Sequence, residues 1–325
     1  MEQILYLNHA QLESLGLDMP ALIDLLEGAF RQQAAGQVQM PPKIFFHTEG
    51  DRFCSAMVTA SPALGYAGCK WQTGDPHNPE RGLPYIQGLY LLNDAETGRM
   101  LAIMDARWIT GRRTAAASAL VARYQARAGA RRLAILGCGL QGRAHLEALA
   151  AEVGSLEQCT VFDIAPAVQK QFIDELDGQF NGLAVAGAPS AREAIREADI
   201  VITGGPIQTR RAATIQPEWI APGALVVTID YDSYVTDACI EAMDIVMTDD
   251  IAQLQEAQRT EGKFTGVARL DTDIPRLIAS GQGRRTGPGQ RILSFNLGVA
   301  LEDLATAAEC LERARARGIG VTLTL

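Results

Sequence analysis

Lys70, the pair Arg112 and Arg113, and the aspartates Asp230 and Asp232 are the side chains whose surroundings give them chemistry to do. Lys70 lies in Gly65-Tyr-Ala-Gly-Cys-Lys-Trp71, an apolar strand rich in small residues. An ammonium there is either partly desolvated, with its pKa lowered toward a range useful for acid–base work, or packed along its stem with its head in water. Arg112 and Arg113 stand at the expected start of a helix opening at Thr110, where the macrodipole disfavours positive charge by about 0.3–1 kcal/mol each. An anion should compensate: a bound carboxylate or phosphate gripped by a two-pronged guanidinium, or a carboxylate of the protein itself. Asp230-Tyr-Asp-Ser-Tyr234 follows the run Ala224–Ile229 at the carboxyl end of a strand, where parallel sheets place their ligands. One of these aspartates suits proton transfer, although strand-end aspartates also form turns. Thr203 and Gly204 close another strand, where small residues let a ligand lie close. The four histidines form no nucleophilic set with serine and aspartate.

Other residues are suited to recognition. Leu133-Ala-Ile-Leu-Gly-Cys-Gly-Leu-Gln-Gly142 runs from a hydrophobic strand through a glycine turn into a helix. Gly137 permits the tight turn, Gly139 lets the backbone approach a pyrophosphate, and Gly142 lets the new helix pack on the strand. Leu140 and Gln141 open that helix, whose amides face the phosphates. Cys159-Thr-Val-Phe-Asp163 then ends a second strand on a carboxylate 21 residues past Gly142, placed to accept hydrogen bonds from ribose hydroxyls. Asp163 would repel a 2′-phosphate and no arginine follows it immediately, so the pattern reads as NAD(H) rather than NADP(H).

Two scaffolds must position these groups. Residues up to about 130 read as an α+β domain with an antiparallel sheet: a helix from Pro20 to Gly36 with Leu22, Leu25, Leu26, Ala29 and Phe30 on its apolar face, then strands near 43–46, 53–58, 65–71, 85–92 and 100–104. From Arg131 strands alternate with helices, which means a doubly wound parallel sheet, an α/β Rossmann-type domain. Gly281–Gly289 reads as a flexible loop, and one amphipathic helix, 299–317, ends the pattern at Gly318. The 325 residues suit two domains, and a net charge of −9 argues against a nucleic-acid partner. No apolar run approaches the roughly 20 residues of a membrane span and the amino terminus lacks a secretory pattern, so a cytoplasmic location is expected. Six cysteines without CxxC pairs and histidines without ligand spacing predict free thiols and no metal.

With these residues in hand, the chain resembles the ornithine cyclodeaminase/mu-crystallin family over nearly its whole length. The likeness rests on Lys70 followed by Asn78-Pro-Glu-Arg-Gly-Leu-Pro84, on Thr97-Gly98 with Leu101-Ala-Ile-Met-Asp105, on Ile109-Thr-Gly-Arg-Arg-Thr-Ala-Ala116, on the Gly137–Gly142 loop, and on Asn296-Leu-Gly-Val-Ala-Leu-Glu-Asp303. It implies a homodimer in which a discontinuous domain, residues 1–127 plus 293–325, binds substrate and builds the interface, with an NAD-binding Rossmann domain, 128–292, inserted. Lys70 and Arg113 fall on the family's substrate-binding positions. Lys43 stands where an arginine is usual, a weaker point-charge anchor. Asp232 aligns with the catalytic aspartate, while Asp230 occupies a glycine position and Tyr234 replaces part of a Pro-Gly turn. Asn296 stands where serine is common. Thr110, Arg113, Gly137, Gly139, Leu140, Gln141, Gly142, Asp163, Thr203, Gly204 and Asn296 form the expected cofactor set, and Lys70, Asp232 and Asp230 the catalytic one.

The expected activity is an NAD(H)-dependent oxidoreductase acting at the carbon–nitrogen bond of a small amino acid or its imine. A cyclodeaminase releasing ammonia with catalytic NAD, and a catalytically silent nucleotide-binding protein, are the alternatives.

Overall fold

The computed structural model describes residues 3–49, 52–208 and 210–324. The chain divides into two units, Met1–Arg113 with Val299–Leu325, and Thr114–Gly298. In order, the elements are β1 (Gln3–Leu7), α1 (His9–Ser14), α2 (Met19–Ala34), β2 (Ile44–His47), β3 (Phe53–Ser61), β4 (Tyr66–Gly74), β5 (Ile86–Asp94), β6 (Met100–Asp105) and α3 (Ala106–Gln125). There follow β7 (Arg132–Leu136), α4 (Leu140–Glu152), β8 (Gln158–Phe162), α5 (Pro166–Leu176), β9 (Ala184–Gly187), α6 (Ala191–Ile195), β10 (Ile200–Thr203) and β11 (Leu225–Thr228). The chain ends with α7 (Asp237–Glu241), β12 (Ile245–Thr248), α8 (Ile251–Thr260), β13 (Thr272–Asp273), α9 (Ile274–Ser280), β14 (Ile292–Phe295), α10 (Ala300–Arg317) and β15 (Val321–Thr324). Among the described residues no helix is long and apolar enough to cross a membrane.

The first unit holds one sheet in the order β15-β1-β6-β5-β4-β3-β2. It is mixed, not purely antiparallel as expected: β1 pairs with β6 in parallel. The short β1 and the closing β15 were invisible as alternating patterns, and their pairing with each other builds one edge of the sheet. Period-two alternation decides which side chains enter the core. Met57, Lys70 and Tyr90 are cross-strand neighbours on the buried face, while Ala56, Trp71 and Leu89 are neighbours on the other. Helix α10 packs against β3, β4 and β5. Helix α2 starts cleanly because Asp18 caps it by accepting from the Ala21 amide and Pro20 sits in its first turn. It buries Met19, Leu22, Ile23, Leu26, Ala29 and Phe30, so Ile23 replaces the half-buried Leu25 on its apolar face.

The second unit is an eight-stranded sheet, β13-β12-β14-β11-β10-β7-β8-β9, with every pair parallel. Its central strands are apolar without alternation because both faces are covered: β10, β11 and β12 are buried at every position. Strand order reverses direction around β7, so the loops after β7 and β10 flank the switch point where such sheets bind ligands. Strand β14 lies between β11 and β12, so the sheet extends past residue 292. The Gly281–Gly289 segment is tied down: Gln125 donates to the Gly283 carbonyl and accepts from the Arg285 amide, and Arg284 lies over the Tyr124 ring.

Candidate active site

In the second unit the glycine loop has the geometry its sequence requires. Gly137 adopts φ +101°, and a Cβ there would lie 2.6 Å from the Gly204 carbonyl oxygen, so position 137 must be glycine. A Cβ on Gly142 would meet the Gly137 carbonyl oxygen at 2.2 Å, which is the close helix–strand approach. Gly139 instead borders open space and forms the N-cap of α4 without any side-chain cap. The first-turn amides of a helix in that state are available to an anion. Leu140 is exposed and Gln141 half-buried. Asp163 ends β8, accepting from the Cys138 amide at 2.8 Å and the Ala165 amide at 2.9 Å, so the carboxylate braces the loop. Pyrophosphate and ribose of a dinucleotide fit this arrangement: open space over Gly139, uncapped amides, and a half-buried carboxylate at the strand end.

A buried polar chain supports the loop from behind. His145 is sealed, and burial pushes its pKa down to about 4, so its ring is neutral near pH 7. The ring Nδ1–H donates to the Gln141 carbonyl, and Nε2 accepts from the Ser118 hydroxyl. The Asn296 amide donates to Ser118 Oγ and accepts from Ser294. Asn296, expected in the cofactor set, thus links β14 to α3 within this unit.

The two strand-end aspartates have different surroundings. Asp230 accepts from Thr203 Oγ1 at 2.8 Å and from the Gly205 amide at 3.0 Å, fastening the end of β11 to the end of β10. Burial raises its pKa to about 7 against those two hydrogen bonds, and the neighbouring Asp232 adds to the rise. Asp232 is 3% exposed; its Oδ2 accepts from the Phe264 amide at 2.8 Å, while its Oδ1 has no hydrogen-bond partner among the described residues. Between them Tyr231 takes a left-handed φ of +63°, and Phe264 takes φ +55°. Bulky residues hold such conformations only when their surroundings force them, at a cost of roughly 1–3 kcal/mol each. Here the Tyr231 and Phe264 rings pack 5.2 Å apart beneath the turn.

In the first unit Lys70 is sealed, overturning the alternative in which its head reaches water. Its Nζ donates to Thr110 Oγ1 at 3.2 Å and sits 2.9 and 2.8 Å from the two oxygens of Asp303. Burial lowers its pKa to about 8; Arg113 adds to the fall and Asp303 opposes it. Arg113 places Nε 3.0 Å from Asp303 Oδ1 and Nη1 2.6 Å from Glu302 Oε2. The expected helix start is corrected: α3 begins at Ala106, where Asp105 accepts from the Trp108 amide, so neither arginine lies in the first turn. The compensating anions for Arg113 are carboxylates of the protein, and Arg112 donates to the Leu17 carbonyl. Lys43 is half-buried ahead of β2, and its charge also lowers the Lys70 pKa. Asp303 and Glu302 carried no role in the sequence reading. Their signal was there, two acids inside the otherwise apolar run 297–308.

Residues 4–318 match the sequence profile of the ornithine cyclodeaminase/mu-crystallin family. An alanine dehydrogenase of Archaeoglobus fulgidus is 31% identical over 328 residues, covering 98% of this chain and 97% of that protein. Among solved structures, an archaeal alanine dehydrogenase dimer with bound NAD superposes with a TM-score of 0.87 at 29% identity, covering 99% of each chain. The Thermococcus litoralis Δ1-pyrroline-2-carboxylate reductase, in complex with NADH and L-proline, gives 0.86 at 27% identity, covering 98% of this chain and 99% of that one.

The glycine geometry separates two variants. Gly139→Ala should leave the denaturation midpoint near that of the parent protein yet weaken NADH binding at least about tenfold, a loss of roughly 1.4 kcal/mol, in a fluorescence titration. Gly142→Ala should lower the denaturation midpoint itself, because its methyl would press on the Gly137 backbone at 2.2 Å.

Proposed function

The chain belongs to the ornithine cyclodeaminase/mu-crystallin family, and on that premise we propose that it is an NAD(H)-dependent oxidoreductase interconverting a small amino acid with its imine or oxo acid. The observation that carries this reading is the presence in one chain of a sound dinucleotide loop and a buried cationic set, Lys70 and Arg113, with Lys43 close enough to act on it. The Gly137–Gly142 loop and Asp163 would hold NAD(H), whose chemistry would be to give or take the hydride. Arg113, Lys70 and Lys43 hold the substrate carboxylate, and Lys70 polarises the reacting group. Asp232 takes or returns the amine proton at Oδ1, the oxygen its amide partner leaves free. Asp230, with both oxygens engaged, keeps the Thr203–Gly205 segment in place. A cytoplasmic location fits a soluble cofactor of this kind.

Purified protein with NAD and a panel of alanine, proline, ornithine and lysine should produce NADH with at least one of them. Ammonia without net NADH would instead mean a cyclodeaminase. Asp232→Asn should lower turnover by about 100-fold or more while retaining NADH binding, and Asp230→Asn should cost less. If Asp232→Asn stays active and Asp230→Asn does not, the proton passes through Asp230.

We also propose that the protein works as a homodimer formed through the open face of the first unit's sheet. Ile44, Phe46, Val58, Trp71 and Leu89 are 65, 46, 40, 47 and 47% exposed on four strands, β2 to β5. The alternation in registered pairs sets them on the face opposite Lys70 and Tyr90. A contiguous apolar patch of this kind calls for a partner, and a relative of the same fold is a dimer. Trp71→Glu should convert a dimer into a monomer in light scattering; a monomeric parent protein would refute the interface.

A further inference from the structure

We propose that Asp303 is a positioning residue that keeps the Lys70 ammonium charged and, with Glu302, aims the Arg113 guanidinium within the substrate-binding set. This rests on reading Lys70 and Arg113 as the carboxylate anchors.

The geometry is that of a sealed four-charge cluster drawn from three elements. Lys70 on β4 and Asp303 on α10 have side chains 0% exposed, and Arg113 on α3 and Glu302 on α10 are 5 and 1% exposed. One carboxylate serves both cations: Asp303 Oδ1 is 2.9 Å from Lys70 Nζ and 3.0 Å from Arg113 Nε. Glu302 takes the far side of the guanidinium at 2.6 Å. Both acids lie in the first turn of α10, where the helix macrodipole favours negative charge.

Charge bookkeeping follows from these contacts. Lys70 and Arg113 carry two positive charges and Asp303 and Glu302 two negative ones, so the four side chains balance as a unit. Without Asp303, Lys70 would face Arg113 and Lys43 in a water-free setting, and a buried ammonium in that position sheds its proton. The other groups around Lys70 cannot replace Asp303. Thr110 on α3 offers a neutral hydroxyl, Met57 on β3 is apolar, and Tyr90 on β5 has its pKa raised well above the usual value by burial and so stays neutral.

The chain has four lysines, so protein labelled with ¹³C at lysine Cε gives a spectrum simple enough to follow Lys70 through a pH titration. In the parent protein the Lys70 signal should report an ammonium at pH 7 and titrate near pH 8. Asp303→Asn should move that midpoint down by about one pH unit or more, a tenfold loss of proton affinity. Asp303→Glu, which keeps the charge, should hold it near the parent value. Asp303→Asn also loosens the Arg113 guanidinium, so KM for the substrate found in the amino-acid panel should rise at every pH in that variant and most steeply above its new midpoint. A Lys70 already neutral at pH 7 in the parent protein would overturn the proposal even if Asp303→Asn fails to fold, and so would a midpoint unchanged in a folded Asp303→Asn that still binds NADH. Were Lys70→Met to bind and turn over substrate as the parent does, the carboxylate-anchor reading would fall while the titration result stood.

Discussion

An ammonium group closed inside an apolar sheet needs a counter-charge, and the first unit is arranged around supplying one to Lys70. Burial lowers the pKa of that ammonium, and the adjacent Arg113 pushes the same way. Asp303 restores the balance from the start of α10, a helix contributed by the last part of the chain, 190 residues and more from both cations. The packing of α10 on β3, β4 and β5 is therefore a condition of the site's charge as well as of the core. Breaking such a pair by removing one partner is typically far more damaging than replacing both, which ties these residues together as a unit.

The second unit solves a different problem, presenting backbone to a phosphate while tying the loop behind it to its neighbours through buried polar side chains. Glycines at 137, 139 and 142 supply approach and curvature, Asp163 braces the turn from β8, and His145, Ser118, Asn296 and Ser294 pass hydrogen bonds from α4 to α3 to β14. At the end of β11 the left-handed Tyr231 lets two aspartates two residues apart take separate partners: Asp230 ties down β10, and Asp232 reaches the Phe264 amide. Among the described residues, that turn leaves Asp232 Oδ1 without a hydrogen-bond partner.

Much of this was legible in the sequence because local rules dominate there. The glycine loop is written in three residues whose missing side chains have direct geometric reasons, and the apolar strands β7, β8, β10, β11 and β12 stand out by composition. The strands that escaped notice, β1, β9, β13, β14 and β15, are short or follow a glycine-rich loop, and their place is decided by the strands they pair with. Helix α3 was expected four residues late because the Thr110-Gly-Arg-Arg run drew the start to itself, whereas Asp105, just past the expected strand, accepts from the Trp108 amide and opens the helix at Ala106. That shift removed the dipole argument for Arg113 and put the answer in Asp303 and Glu302. No local pattern reveals a counter-ion 190 residues away, whereas two acids in an otherwise apolar helix turn mark themselves as buried once the helix is known to be enclosed.

The measurement that bears most directly on the account is the fate of the α-hydrogen. The protein would be incubated with NAD and amino acids carrying deuterium at the α-carbon, and the nucleotide and products analysed by mass spectrometry. Direct transfer between substrate and cofactor predicts deuterium in the NADH formed and its absence from the oxidised product. NAD unchanged in net terms, with deuterium returned to a cyclised product and ammonia released, would contradict the oxidoreductase reading.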